Sequence, residues 1–243
     1  MDEMSLEDEL LANSYPGRGI VAGRSASGDK ALIAYWIMGR SANSRNRVFV
    51  VDGDGIRTKA ADPAKMSDPS LVIYSPVQVV GQRTIVTNGD QTDTIASELL
   101  SGGTFKAALD TRKMEPDAPH YTPRISALVD VTSGVLSLSL SIIKADCGEP
   151  SSTCRYFFDY ENPRAGVGRY IHTYTGDGEV LQSFAGEPVP VAIRGGIDEF
   201  AQGVWESLND ENKVSLFVRF IDIQTGEQQT RIFNKMAQVE PQP

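Results

Sequence analysis

The chain has 243 residues, 32 acids against 23 bases and a formal net charge of -9. Its 40% apolar and 23% charged content is that of an ordinary globular protein, within reach of one large domain or two small ones and able to fold without a disulfide or a metal. The acidity argues against general nucleic-acid binding, and no apolar run approaches a membrane span, so neither nucleic acid nor membrane is an expected partner.

The start, MDEMSLEDELLAN, is acidic where a signal peptide is basic and then apolar. It reads as an N-terminal arm over residues 1–14, a short helix or a loose segment, on a cytoplasmic protein. With no proline-rich linker and no internal repeat, a single domain is expected over 15–238. GIVAGR, SASGDK and ALIAYWIM read as a hairpin with a glycine-containing turn. RVFVV and GIRTK flank a second turn at Asp52-Gly53-Asp54-Gly55. LVIYSPVQVV and RTIVTN follow, with Pro76 expected to interrupt or bulge the first of these. QTDTIASELL has Ile95 and Leu99 at helical spacing, Asp90 as its cap and Asp93 imitating a capping box. TFKAALDTRK is a second helix candidate.

A second strand-rich block opens at ISALVDV and turns at Thr132-Ser133-Gly134. VLSLSLSIIK alternates strictly and reads as a half-buried strand, with Leu136, Leu138 and Leu140 on one face. CGEPSSTC reads as a loop, and Cys147 and Cys154 fit no CxxC pattern. A redox pair or a loop disulfide is open to them; we read them as free thiols in a reducing cytosol. RYFFDY, GRYIHTY and EVLQSF read as strands, and IDEFAQGVWESLND as a helix with Phe200, Val204, Trp205 and Leu208 on one stripe. VSLFVRFID and QTRIFNK close the chain. The order of elements predicts an α+β fold of largely antiparallel sheets, two of them packed together with helices on their outer faces.

One local charge pattern opposes the global one. From Gly17 to Val50 the bases are Arg18, Arg24, Lys30, Arg40, Arg45 and Arg47, the only acid is Asp29, and the segment carries +5. Arginine presents a planar fork that matches phosphate oxygens. Arg18 and Arg24 lie six apart on one predicted strand and so share a side, while Arg40 and Arg45 flank the loop after the hairpin. Taken alone, charge clusters are usually solvated surface, and that reading leads. The missing acids pull the other way, because surfaces tend to interleave their signs.

TNGDQTD places Asn88, Asp90 and Thr92 at a helix N-terminus, where a sugar hydroxyl or a base edge can be held, although a turn with its cap is the simpler account. HYTPRIS carries His120, Tyr121, Thr122 and Arg124 just before a strand, and neither His120 nor His172 has a metal-type spacing. Tyr74 ends LVIY before Ser75-Pro76, an ordinary place for a core-edge aromatic. No GxSxG, HExxH, P-loop or dinucleotide fingerprint occurs.

Taken in order, YPGRGIVAGRSASGDKALIAYWIMGRSANSRNR, IYSPVQVV, TNGDQTDTIA and YTPRIS resemble the archaeal-type IMP cyclohydrolase family. The likeness is dense from Tyr15 to Arg47 and from Asp68 to Ala96, returns at Thr122 to Ala127, and thins after Asp130. The resemblance implies a four-layered αββα fold like that of N-terminal-nucleophile hydrolases, without use of an N-terminal nucleophile. It implies ring closure of 5-formamidoimidazole-4-carboxamide ribonucleotide (FAICAR) to IMP and water, the last step of purine nucleotide synthesis, with no cofactor. Both reacting groups belong to one molecule. Held geometry supplies up to about 7 to 11 kcal/mol of such a barrier, and preorganised donors on the formyl oxygen ~3 to 4 kcal/mol each.

The resemblance also implies roles. Arg18 and Arg24 would line the phosphate end, with Arg40 and Thr92 among the substrate contacts. Arg45 would donate to the formyl or carboxamide oxygen, and Tyr74 would donate or relay a proton. Asn88 and Asp90 would hold ribose or carboxamide, and Arg124 would support or touch the substrate. A carboxylate upstream of TPR is expected, and Glu115 and Asp117 are both candidates for it. The chain is longer than archaeal members around Thr111 to His120 and Ala145 to Pro163, and these insertions would lid the site or join a homo-oligomer. Two other readings stay open: a non-catalytic purine-nucleotide-binding protein, and an amide hydrolase acting on a related ribonucleotide.

Overall fold

A computed structural model describes residues 4–237. In chain order its elements are α1 (Leu6–Ala12), β1 (Gly19–Arg24), β2 (Lys30–Met38), α2 (Ala42–Arg45), β3 (Arg47–Asp52), β4 (Gly55–Ala60), β5 (Val77–Val80) and β6 (Arg83–Thr87). Then come α3 (Gln91–Leu100), α4 (Phe105–Asp110), β7 (Arg124–Asp130), β8 (Ser137–Asp146), β9 (Glu149–Glu161) and β10 (Val167–His172). β11 (Val189–Ala192), α5 (Ile197–Ser207), β12 (Lys213–Asp222) and β13 (Gln228–Asn234) complete the chain. No helix among the described residues is long and apolar enough to cross a membrane.

The strands form two antiparallel sheets. One has six strands in the order β11-β10-β1-β2-β12-β13; the other is a seven-stranded meander, β3 through β9 in chain order. Alternation along each strand decides which layer a side chain joins. Ile20, Ala22, Ile33, Tyr35 and Ile37 point from the six-stranded sheet into a core shared with Phe49, Val86, Ile125, Ala127, Leu138 and Leu140 of the other sheet. The intervening Val21, Leu32, Ala34 and Trp36 pack instead with Leu6, Leu10, Phe200 and Val204 of α1 and α5. On the far side Ile85, Leu128 and Ile143 meet Ile95, Leu99, Phe105 and Leu109 of α3 and α4.

The acidic start is a docked helix. Ser5 caps α1, and Leu6 and Leu10 are buried against the six-stranded sheet, which leaves the acids on the outer side. LVIY, read as the first half of a strand, is turn and bend, and β5 begins only at Val77, after Pro76. Two further readings change. CGEPSSTC is not all loop: Cys147 and Gly148 take φ values of 51° and 81°, the chain reverses there, and β9 already begins at Glu149. Both cysteines are free thiols. EVLQSF is not a strand; it keeps only a bridge from Ser183 to Tyr174, while Leu181 and Phe184 bury in different cores. Val189–Ala192 takes the edge beside β10 in its place.

Candidate active site

A buried polar cluster occupies one end of the sandwich, where β1, β3 and β7 begin and β2, β6 and β10 end. Gly17 makes the entry to β1 possible. It sits at φ 74°, and an added Cβ would lie 2.3 Å from Thr173 Oγ1 and 2.6 Å from the Tyr174 ring. This close approach lets Thr173 hold both sides of Arg18. The Arg18 N–H donates to Thr173 Oγ1 at 3.1 Å, and the Arg18 carbonyl accepts from the Thr173 N–H at 3.0 Å. Arg18 has the parity of Ile20 and Ala22, so its side chain enters the space between the sheets.

Arg47 arrives from the other sheet. As the first residue of β3 it shares the inward face with Phe49 and is wholly buried. Its Nε donates to Ser44 O at 2.7 Å and its Nη2 to Met38 O at 3.3 Å. Tyr35 from β2 and Tyr74 from the segment before β5 meet hydroxyl to hydroxyl at 2.7 Å. Thr58 of β4 docks Tyr74 by taking its N–H at 2.8 Å and donating to its carbonyl at 3.0 Å. Glu115, on the loop after α4, is buried and gives its N–H to Thr122 O at 3.0 Å.

Three of the six buried side-chain polar atoms without a hydrogen-bond partner among the described residues lie here: Arg18 Nε, Arg47 Nη1 and Glu115 Oε2. Buried donors and acceptors are rarely left unpaired, because each costs roughly 1–3 kcal/mol or more when charged. The charges feel one another. Burial pulls the Arg18 pKa down, but Glu115, Tyr174, Tyr74 and Tyr15 outweigh it and the net displacement is upward. Burial lowers the Arg47 pKa; Tyr74 opposes this and Arg18 adds to it. Burial raises Glu115 from the ordinary 4.5 to about 7; Arg18, Arg124 and Arg47 pull it back, and Asp117 pushes further up. The centre therefore holds two buried guanidiniums with free donors against one carboxyl that titrates near neutrality. Such a centre is built to receive acceptor oxygens and to move one proton.

A family model described as IMP cyclohydrolase-like protein matches residues 15–227. The chain belongs to that family. An IMP cyclohydrolase of Methanopyrus kandleri is 33% identical over 119 residues, which is 48% of this chain and 59% of its own length. An IMP cyclohydrolase of Methanocaldococcus jannaschii is 30% identical over 117 residues, 48% of this chain and 57% of the relative. One of Methanococcus maripaludis is 31% identical over 127 residues, 50% of this chain and 61% of the relative. Each match spans less than two thirds of the relative's own length.

The residues expected from the sequence divide into groups. Arg18, Tyr74, Glu115 and Asp117 come together at the buried centre. Arg24 does not. It shares a face with Arg18, but six residues of extended strand carry it roughly 20 Å to the other end of the sandwich. There its Nε donates to Gly28 O at 2.6 Å and its Nη1 to Asn162 Oδ1 at 2.8 Å. Arg45 also turns away, and it has partners after all: Gly39 O at 2.8 Å, Asn212 Oδ1 at 2.9 Å and Glu211 at 3.4 Å. The short helix α2, which the sequence did not announce, rotates Arg45 outward and leaves Arg47 to enter. Arg40 stands at the rim, over the Tyr15 ring at 5.2 Å and paired with Asp177 at 3.1 Å.

The TNGDQTD segment is a scaffold. Asn88 Nδ2 donates to Pro123 O at 2.8 Å, and its Oδ1 accepts from Ile125 N–H at 2.9 Å and Gln91 Nε2 at 3.0 Å. Thr92 Oγ1 donates to Gly89 O at 3.0 Å and meets Thr87 Oγ1 at 2.6 Å. Asp90 precedes α3 without making a side-chain cap bond. Its backbone is already helical, and its carboxylate is drawn to Arg124 at 2.7 Å and to Arg112. Arg124 is further held by Lys113 O at 2.8 Å and Gln91 Oε1 at 2.7 Å. Gly89 is required there, since a Cβ would lie 2.7 Å from Arg124 Nη1 and 3.2 Å from Glu115 Oε1. Arg47, Tyr35 and Tyr174 were missed as site residues. Alternation in RVFVVD puts Arg47 on the face of Phe49, which was the available signal. Among the described residues no group of three or more His, Cys, Asp or Glu could hold a metal ion.

Proposed function

We propose that this chain closes the pyrimidine ring of FAICAR to give IMP and water. Arg18 and Arg47, each with a buried N–H that lacks an acceptor, carry this reading together with family membership. The carboxamide nitrogen attacks the formyl carbon as the C=O π bond opens; the nitrogen loses a proton, the oxygen gains one, and a tetrahedral carbinolamine forms. Its hydroxyl leaves as water while the former formamido nitrogen gives up its proton and forms the ring C=N bond. Arg18 and Arg47 stabilise the developing oxyanion on the former formyl oxygen. Glu115 titrates at about 7 and is suited both to taking the carboxamide proton and to returning one to the departing hydroxyl. Tyr74, anchored by Tyr35, is the second proton carrier. Asn88, Asp90, Thr92 and Arg124 support the floor of the site, and Arg40 at the rim, bonded to Asp177 and to the Gly178 carbonyl, would meet the anionic end of the nucleotide only by releasing them. Arg24 and Arg45 stay outside the reacting set, since their forks are already bonded.

The reading extends to the fold and the partners. Helices on the outer face of each packed sheet support a four-layered αββα domain of the N-terminal-nucleophile-hydrolase kind. FAICAR and IMP are the small-molecule partners. The test incubates the purified full chain with FAICAR and follows IMP by absorbance. Saturable IMP formation is expected. Absence of IMP formation overturns the reading, and tight IMP binding without turnover would identify a nucleotide-binding protein on the same fold.

A further inference from the structure

The hydrogen bonds of residues 115–122 separate two carboxylates that sequence alone treats as equivalent. Asp117 spends both oxygens inside its own loop: Oδ1 accepts the Thr122 N–H at 2.7 Å, and Oδ2 accepts the Thr122 hydroxyl. A carboxylate can only accept, and a threonine hydroxyl has one proton to give. Thr122 Oγ1 therefore receives its remaining bond from the Tyr174 hydroxyl, with which it is also in contact. The chain of donors runs one way, from Tyr174 to Thr122 to Asp117. Glu115 differs, because its Oε2 has no partner and its N–H is held by the Thr122 carbonyl at 3.0 Å.

Tyr174 is fixed in turn. Its ring stacks on Tyr15 with centroids 6.0 Å apart and meets the edge of His120 at 6.5 Å. Its carbonyl accepts from Asn13 Nδ2 at 3.0 Å and faces His172 Nδ1 at 2.8 Å. Tyr174 follows β10 of the six-stranded sheet, whereas Thr122 precedes β7 of the seven-stranded one. The chain thus ties the two sheets together beside the buried centre.

We propose that Asp117, Thr122 and Tyr174 are positioning residues, a clamp across the two sheets that holds the 115–122 loop and thereby aims the Glu115 carboxyl at the substrate. This rests on the cyclohydrolase reading, in which Glu115 is the reacting carboxyl. The clamp also keeps the Asp117 charge beside Glu115, whose other charged neighbours are Arg18, Arg124 and Arg47. Burial chiefly raises the Glu115 pKa, the three arginines lower it and Asp117 raises it, so neutralising Asp117 moves that titration to lower pH.

The experiment uses the full chain and two readouts. The first is kcat and KM for IMP formation as a function of pH. The second is the carbon NMR titration of the Glu115 carboxyl without substrate. Thr122→Val keeps the shape and the Asp117 charge but breaks the chain at its centre. It is expected to lower kcat on the order of 100-fold, with KM changed far less, as for a misaimed reacting group. Thr122→Ser retains the hydroxyl and is expected to recover most of the loss. Asp117→Asn is expected to shift both the Glu115 titration and the acid limb of kcat to lower pH. Wild-type kcat in Thr122→Val, equal impairment in Thr122→Ser, or an unmoved Glu115 titration in Asp117→Asn overturns the clamp. If the wild type forms no IMP while the Glu115 titration moves in Thr122→Val but not in Thr122→Ser, the cyclohydrolase reading fails, and the hold of Thr122 on the 115–122 loop stands without it. Should Asp117→Asn fail to fold, the Thr122 pair decides alone.

Discussion

Replacing Glu115 with glutamine separates the energetic cost of the site from its chemistry. Burial raises this carboxyl from 4.5 to about 7 despite the nearby Arg18 and Arg124. Its native pKa therefore lies above its unfolded value, and the native state binds more protons than the unfolded state between the two. The sign follows: native stability owed to this group falls as pH rises from about 4.5 and levels off above about 7. At about 1.4 kcal/mol per pKa unit, the ionised carboxyl destabilises the native state by about 3 kcal/mol at pH ~8, and by under about 1 kcal/mol at pH ~5.

Glutamine keeps the shape of the neutral carboxyl and never ionises. Glu115→Gln is therefore expected to be more stable than wild type by about 3 kcal/mol at pH ~8, with the two chains converging toward pH ~5. For a chain of this size that corresponds to a Tm difference of roughly 6 to 12 °C. Comparing the two proteins at each pH cancels the other titrating groups, such as Asp90, which salt bridges hold below the usual carboxylate range against the effect of burial. Thermal and urea unfolding of both proteins at the two pH values measures it, and turnover should be lost in the same variant. An equal stability difference at both pH values would refute the reasoning, because the penalty would then not be one of ionisation.

Three further outcomes follow from the same geometry. Arg47→Met should lower kcat on the order of 100-fold or more, as for loss of an oxyanion donor, yet leave Tm unchanged or raised, because it removes a buried cation with an unpaired N–H; steady-state kinetics and calorimetry check both halves. Tyr74→Phe should lower kcat about 100-fold with a smaller effect on KM, and an unchanged rate would return Tyr74 to a packing role beside Tyr35. Arg45→Ala should keep kcat within about 3-fold of wild type and cost about 1 kcal/mol or less in urea unfolding, since it breaks half-exposed bonds to Gly39, Asn212 and Glu211.

Two sheets and the helices over them were legible because long periodic runs carry their own signal. SLSLSIIK alternates and its burial begins by alternating, whereas ALIAYWIM and VSLFVRFID are near-continuous apolar runs and are buried on both faces. The misreadings fall where tertiary context decides. EVLQSF has the composition of a strand, but β10 has one free edge and Val189–Ala192 occupies it. Asp90 has the chemistry of a cap, but two arginines compete for its carboxylate and hold it. Of the residues that the motifs singled out, Arg18, Tyr74, Glu115 and Asp117 meet at one end of the sandwich. Asn88 and Thr92 look like ligand-binding residues only until their bonds to the backbone are traced.

The arginines show why composition could locate the site without resolving it. Between Gly17 and Val50 the charge is +5, yet the five arginines there have unlike fates. Arg24 and Arg45 are bonded at opposite ends of the sandwich, and Arg40 is paired at the rim. Among these arginines only Arg18, half-buried, and Arg47, wholly buried, have a buried donor nitrogen that lacks a partner. Each sits where a strand begins, on the face that looks between the sheets, at the end where both sheets open on the same space. An arginine at such a position has its stem in the core and its fork beyond the last apolar layer. The opposite sheet packs over that space, and in the function proposed above the substrate supplies the acceptors these donors lack. Fork chemistry suits such donors to an anion or a carbonyl oxygen, and Glu115 beside them is a carboxyl that burial raises to about 7.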